Sequence, residues 1–219
     1  MKKNILKALV LSLITAAAAN AALMVDFEKT GATTAAGYKS INIGDNVVFG
    51  ASDTYTDTGY GSSVGVAVGI DDGVNDEIRA LTGAGGGDLL NDYFGVDGRG
   101  SGNATLTVTL SGLDAGSYDW TSFHWGGGSS LQDSTITYTL DHAGTQLSGS
   151  FYQVVDDSVN LSFTSDGSAD VVFSMTAAVD QFGELNGIEV VPEPASIALV
   201  GLASIVLLAS RRLRVYRQQ

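Results

Sequence analysis

The sequence predicts an all-β chain: an antiparallel β-sandwich of jelly-roll type, flanked by an N-terminal signal helix and a C-terminal transmembrane helix. Three observations carry this. Leu106, Val108 and Leu110 alternate with Thr105, Thr107 and Thr109, and Ile136, Tyr138 and Leu140 alternate with Thr135, Thr137 and Thr139. A period of two means one buried face and one wet face. Clusters of glycine, aspartate, asparagine and serine separate such runs, as in Ser111-Gly112-Leu113-Asp114-Ala115-Gly116, and these are turn-forming residues. Finally, there is no internal repeat of the kind a parallel β-helix needs, and 75–81 is the one stretch that reads as a helical turn. Many short strands joined by turns make a sandwich.

In chain order, the first element is the leader. Lys2 and Lys3 precede an apolar run from Ile5 to Ala19 that only Lys7 interrupts, and Ala19-Asn20-Ala21 supplies the small-x-small pattern that signal peptidase requires. Residues 1–21 therefore read as a signal peptide cleaved after Ala21. Strands are expected at 23–27, 46–49, 64–68, 104–110, 117–125, 134–140, 146–155, 159–164, 170–175 and 185–190, within an ectodomain spanning 22–190. Val191-Pro192-Glu193-Pro194 follows, then an apolar run from Ile197 to Ala209 and the basic Arg211-Arg212-Leu213-Arg214. A helix over 195–210 would be about 24 Å long at 1.5 Å per residue. That is short for a bilayer, so it needs local thinning or snorkelling arginines. Arg211, Arg212 and Arg214 act as the membrane stop and stay cytoplasmic, with 215–219 as the tail. The signal peptide sends the body across the inner membrane, so both ends agree on orientation. Pro192 and Pro194 are the only prolines, and they make Pro-Glu-Pro an extended, accessible segment just outside the bilayer.

Val191 to Arg214 resembles the PEP-CTERM sorting signal, with its Pro-Glu-Pro motif, short transmembrane helix and arginine-rich end. The resemblance implies processing by an exosortase, a membrane-embedded cysteine transpeptidase, in a bacterium with an outer membrane and exopolysaccharide. The mature product would then lie at the cell surface or in the extracellular matrix. Two segments of the ectodomain carry a second likeness. Leu110-Ser111-Gly112-Leu113-Asp114-Ala115-Gly116-Ser117-Tyr118 resembles a strand–turn–strand motif of secreted bacterial jelly rolls. Leu185-Asn186-Gly187-Ile188-Glu189-Val190 resembles the closing strand of galactose-binding-like and malectin-like domains. Those folds often bind carbohydrate, yet such motifs are turns and edges rather than ligand contacts.

Composition narrows the chemistry. From Ala22 to Val191 there are 23 acidic residues and four basic ones, a net charge of −19. That surface repels phosphate backbones, which excludes nucleic acid as a partner and suits cations or neutral glycans. With no cysteine and two histidines, thiol nucleophiles, disulfides, cysteine–metal sites and all-histidine metal centres are excluded.

Two clusters stand out as candidate sites. Tyr118, Trp120, Phe123, His124 and Trp125 form the densest aromatic patch, with Tyr118, Trp120 and His124 on one face of a strand. One face has to enter the core. The other could present a platform for a sugar ring beside the loop 126–130. Asp71-Asp72-Gly73-Val74-Asn75-Asp76-Glu77 gathers hard oxygens around a turn, as a structural calcium ion requires. Its spacing is not that of an EF-hand, and the same acids would equally suit the start of a short helix. Gly61-Ser62-Ser63-Val64-Gly65 fits G-x-S-x-G, but a β run follows it where a nucleophile elbow needs a helix. The reading is thus a non-catalytic exported protein of the polysaccharide matrix. The alternatives are a glycan-active hydrolase or lyase on the same sandwich, or a purely structural envelope protein.

Overall fold

The computed structural model of the chain describes residues 22–44, 50–58, 61–71, 79–82, 88–90, 92–98, 102–124, 134–153 and 157–193. They form fourteen strands: β1 (Leu23–Lys29), β2 (Lys39–Gly44), β3 (Gly50–Thr58), β4 (Gly61–Asp71), β5 (Arg79–Thr82), β6 (Asp92–Asp97), β7 (Ala104–Ser111), β8 (Gly116–Phe123), β9 (Thr135–His142), β10 (Thr145–Tyr152), β11 (Ser158–Ser165), β12 (Val171–Ala177), β13 (Phe182–Leu185) and β14 (Gly187–Pro192). One 3-10 turn at Asp88–Leu90 is the sole helical element among the described residues.

Two large sheets face each other. One has the order β11-β8-β14-β1-β2 and the other β10-β9-β12-β7-β4-β3, while β13-β6-β5 forms a small third sheet. Every pairing is antiparallel except β1 with β2, which run parallel, so the sandwich is not purely antiparallel. The inner faces share a single cluster containing Phe27, Val66, Leu106, Trp120, Phe173 and Val190. Trp120 of β8 stacks on Phe173 of β12 at a centroid separation of 5.0 Å, joining the two sheets through the middle. At roughly 25 cal/mol per Å² of apolar surface removed from water, this shared interior is the main source of stability.

The alternation in β7 and β9 is realised as expected. Leu106, Val108, Leu110, Ile136 and Leu140 are buried, while the threonines face outward. Across the outer face Thr105 pairs with Thr176, and Thr176 with Thr137; the Thr105 and Thr176 hydroxyls lie 2.9 Å apart. The turn motif between β7 and β8 is also structural. Gly112 has φ +76, and a Cβ there would lie 2.5 Å from the Ser63 carbonyl oxygen, so only glycine fits. Tyr118 closes the turn by donating its hydroxyl to the Asp114 carbonyl at 2.9 Å.

Three expectations need correction. The stretch 75–81 is not a helical turn at its described end, because Arg79–Thr82 is β5, paired with β6. The run 185–190 is not one strand. Leu185 ends β13 in the small sheet, and Gly187 begins β14 in the five-stranded sheet. Asn186 makes the crossing, donating its N–H to the Phe123 carbonyl at 2.8 Å and accepting from the Phe27 N–H at 2.9 Å. Finally, the sandwich extends past residue 190, since β14 continues to Pro192. The strand expected at 46–49 lies outside the described residues.

Candidate functional site

Strand β8 carries Tyr118, Trp120 and Phe123 of the aromatic patch, with His124 directly after it, and the structure places three of the five members inside. Tyr118, Trp120 and His124 are 3%, 0% and 0% exposed. Tyr118 stacks on Phe163 of β11 at 5.5 Å. His124 stacks on Phe151 at 4.4 Å. Two residues of the outward face are polar and paired with β11: Asp119 accepts from Ser162 at 2.7 Å, and the Thr121 hydroxyl donates to Asn160 at 2.9 Å. Phe123, on the same face, is half-buried. Tyr118, Trp120 and His124 therefore form core rather than a sugar platform, because the opposing sheet needs their bulk. Trp125 and the loop 126–130 lie outside the described residues.

His124 is built as a neutral hydrogen-bonding node. Its Nδ1–H donates to the Glu184 carbonyl and its Nε2 accepts the Ser122 hydroxyl proton, both at 2.8 Å. Burial lowers its pKa to about 4, and the bond to Glu184 opposes that only in part. Around it, Gln153 accepts the Glu184 N–H at 3.1 Å, and Ser134 accepts the Phe182 N–H at 3.2 Å. The Ser122–His124 pair has the distance of a nucleophile and its base, but both residues are sealed from solvent. The second histidine is structural too. His142 Nε2 accepts the Asp166 N–H at 2.9 Å. That fixes a turn in which the Asp166 carboxylate accepts the N–H groups of Ser168 and Ala169. These bonds hold the Asp166 pKa down at about 2.

The acidic cluster is mostly undescribed. Asp71 is the last residue of β4, while Asp72, Asn75, Asp76 and Glu77 lie outside the described residues. Among the described residues no three histidines, cysteines, aspartates or glutamates converge in a way that could hold a metal ion. The closest approach to such chemistry is a carboxylate pair on β1. Strand alternation puts Leu23, Val25 and Phe27 inward and Met24, Asp26 and Glu28 outward, yet Asp26 and Glu28 are 0% and 6% exposed. The connection from β1 to β2 accounts for this. It brings the Ala35 N–H to Asp26 Oδ2 at 2.8 Å and the Tyr38 hydroxyl to Glu189 on β14. Burial first, then the bond to Glu189, then the charges of Glu189 and Asp26, push the Tyr38 phenol well above its ordinary value. Glu28 Oε1 has no hydrogen-bond partner, a costly state for a buried carboxylate oxygen. Asp-x-Glu in a strand was the only sequence signal of this pair, because its burial depends on a connection that reads simply as a loop.

The sorting segment meets the fold at β14. Ile188, Val190 and Pro192 turn inward, all three buried, and Pro192 stands opposite Tyr118. The β1 ladder ends at the pair Leu23–Val190, so a proline two residues further on removes no donor from it. Pro192 is thus part of the sandwich rather than of an accessible linker, while Glu193 is exposed. Pro194, the expected helix at 195–210, Arg211, Arg212 and Arg214 lie outside the described residues, as do Ala19 and Ala21. No helix among the described residues is long and apolar enough to cross a membrane.

Residues 190–213 match the model of the PEP-CTERM protein-sorting motif. No curated protein matches the chain. Among solved structures, the chain is similar to a family 35 carbohydrate-binding module from Clostridium thermocellum. Identity is 12% over 65% of this chain and 98% of that one, with a TM-score of 0.39. A CBM35 from Paenibacillus barcinonensis overlaps at 10% identity over 57% of this chain and 93% of that one, with a TM-score of 0.39. The module TmCBM61, solved in complex with β-1,4-galactotriose, overlaps at 11% identity over 65% and 88%, with a TM-score of 0.32.

Proposed function

We propose that the chain is an exported protein of the bacterial cell surface, held first in the inner membrane and then sorted by an exosortase, and that it contributes to the extracellular polysaccharide matrix without catalysis. The observation that carries this reading is the PEP-CTERM motif at 190–213, which begins inside the closing strand of the sandwich. Signal peptidase would remove the leader after Ala21, and the exosortase would act on the Pro-Glu-Pro segment. The non-catalytic part is supported by the placement of the two described pairs that come nearest to catalytic arrangements, Ser122 with His124 and Asp26 with Glu28. Ser122, His124, Asp26 and Glu28 are all closed to solvent, so none of them can touch a glycan. A neutral polysaccharide would find its uncharged contact on the outer face of the six-stranded sheet, along the threonines of β7 and β9. The −19 charge of the ectodomain disfavours polyanions.

The test is conversion of the precursor in cells that carry the pathway. Glu193→Ala combined with Pro194→Ala leaves Pro192 in its strand, and should trap the full-length chain in the inner membrane. Arrival of that variant at the surface, at normal size and rate, would overturn the reading.

A further inference from the structure

Pro-Glu-Pro has its first residue inside the fold and its second outside. Pro192 is the buried end of β14, opposite Tyr118, and Glu193 is exposed. An enzyme that binds three successive residues has to surround their backbone, which a residue packed against a core does not allow. We propose that this placement gates processing: the sorting enzyme engages the complete Pro-Glu-Pro segment only when the end of β14 peels from β8, so the folded sandwich sets how fast the precursor is converted. The inference rests on the reading above, that Pro-Glu-Pro is what the enzyme recognises.

The geometry fits a short, self-limiting opening. Beyond Val190 the strand has lost β1 and is held by β8 alone, through Val191 with Asp119 and Pro192 with Tyr118. Strand ends held on one side open locally far more often than the domain unfolds. Val191 is 36% exposed, so releasing these two residues uncovers chiefly the Pro192 ring and the side of Tyr118 it stands opposite. Peeling one residue further would drag Val190 out of the interior, where it is fully buried beside Trp120 and Leu23. The opening therefore stops at the residue the enzyme needs.

Two alterations move the gate in opposite directions. Inserting Gly-Ser-Gly-Ser-Pro between Pro192 and Glu193 leaves β14 intact and offers a complete Pro-Glu-Pro beyond it. Pulse–chase labelling should show the precursor half-life falling about fivefold, the factor expected when a step costing about 1 kcal/mol is removed. Conversely, Val191→Cys with Asp119→Cys joins two register partners in a chain that has no other cysteine. A disulfide there, formed in the oxidising periplasm, holds the strand end shut. The half-life should lengthen, and dithiothreitol should restore it while leaving the unaltered chain unaffected. Unchanged half-lives in both variants would overturn the gate. A Glu193→Ala/Pro194→Ala chain that is still converted overturns the sorting reading itself. A blocked one, together with an unaccelerated insertion variant, overturns the gate alone.

Discussion

At the scale of single residues, His124 shows how a local pattern can single out a side chain without fixing which way it faces. Sequence placed it in an aromatic patch, but the partner that defines it, the Glu184 carbonyl, is sixty residues away and invisible to any local pattern. The same holds for Asp26 and Glu28, whose burial comes from a connection that folds back over them. The His124 environment has a measurable consequence. Nδ1 already donates to the Glu184 carbonyl, and full burial disfavours the charge that a second proton would bring, so the ring stays neutral. The folded pKa of about 4 lies below the ordinary value near 6.5, so the unfolded chain binds the proton first as pH falls. Stability is therefore complete above about pH 6.5 and declines as pH drops toward 4, by about 2 kcal/mol between pH 6.5 and pH 5. Urea denaturation at stepped pH should show that slope, and His124→Gln should flatten it. An unchanged slope in the variant would show that other groups set the acid sensitivity.

At the scale of elements, legibility followed the strength of the hydrophobic period. Strands β7, β9, β11 and β12 were evident because apolar and polar side chains alternate through most of each of them. β3 was missed because Ala51-Ser52-Asp53-Thr54-Tyr55-Thr56-Asp57-Thr58 lacks an apolar alternation. It is an edge strand, paired on one side only with β4, and such strands need less apolar surface. β5 and β13 are four residues each, too short to establish any period, and they stand only because β6 lies between them. The hairpin joining β9 and β10 offers a test of local chemistry. His142 pairs with Thr145, so the loop is Ala143-Gly144, with φ values of 50 and 79. Positive φ at both positions is the two-residue turn that fits strand twist, and Asn-Gly is its preferred sequence. Alanine pays a steric cost there that asparagine largely avoids. Ala143→Asn should thus raise stability by about 0.5–1 kcal/mol, read as a higher denaturation midpoint at unchanged slope. A lower midpoint would mean that the turn is not the constraint it looks like.

At the scale of the whole molecule, sequence and structure inform different halves of the account. The sorting motif and the charge are sequence properties and were fully legible. The junction between motif and fold was not, because nothing in Val191-Pro192-Glu193 shows that Pro192 will stand opposite a buried tyrosine of the neighbouring strand. Charge sets the remaining expectation. An ectodomain with 23 acidic and four basic residues repels itself when compact, since folding brings like charges within reach of one another. Mobile ions weaken that repulsion, with a screening length of about 30 Å at 0.01 M falling to about 3 Å at 1 M. Sodium chloride raised across that range should therefore increase the melting temperature of the mature domain. A gain of about 1 kcal/mol corresponds to roughly 2–4 °C for a domain of this size. Calcium at matched ionic strength separates screening from binding. If Asp71–Glu77 holds an ion, calcium stabilises beyond sodium by selective binding to the folded state, and Asp72→Ala with Asp76→Ala removes only that excess. A melting temperature indifferent to sodium chloride would show instead that the acidic residues are spaced widely enough on the surface to ignore one another.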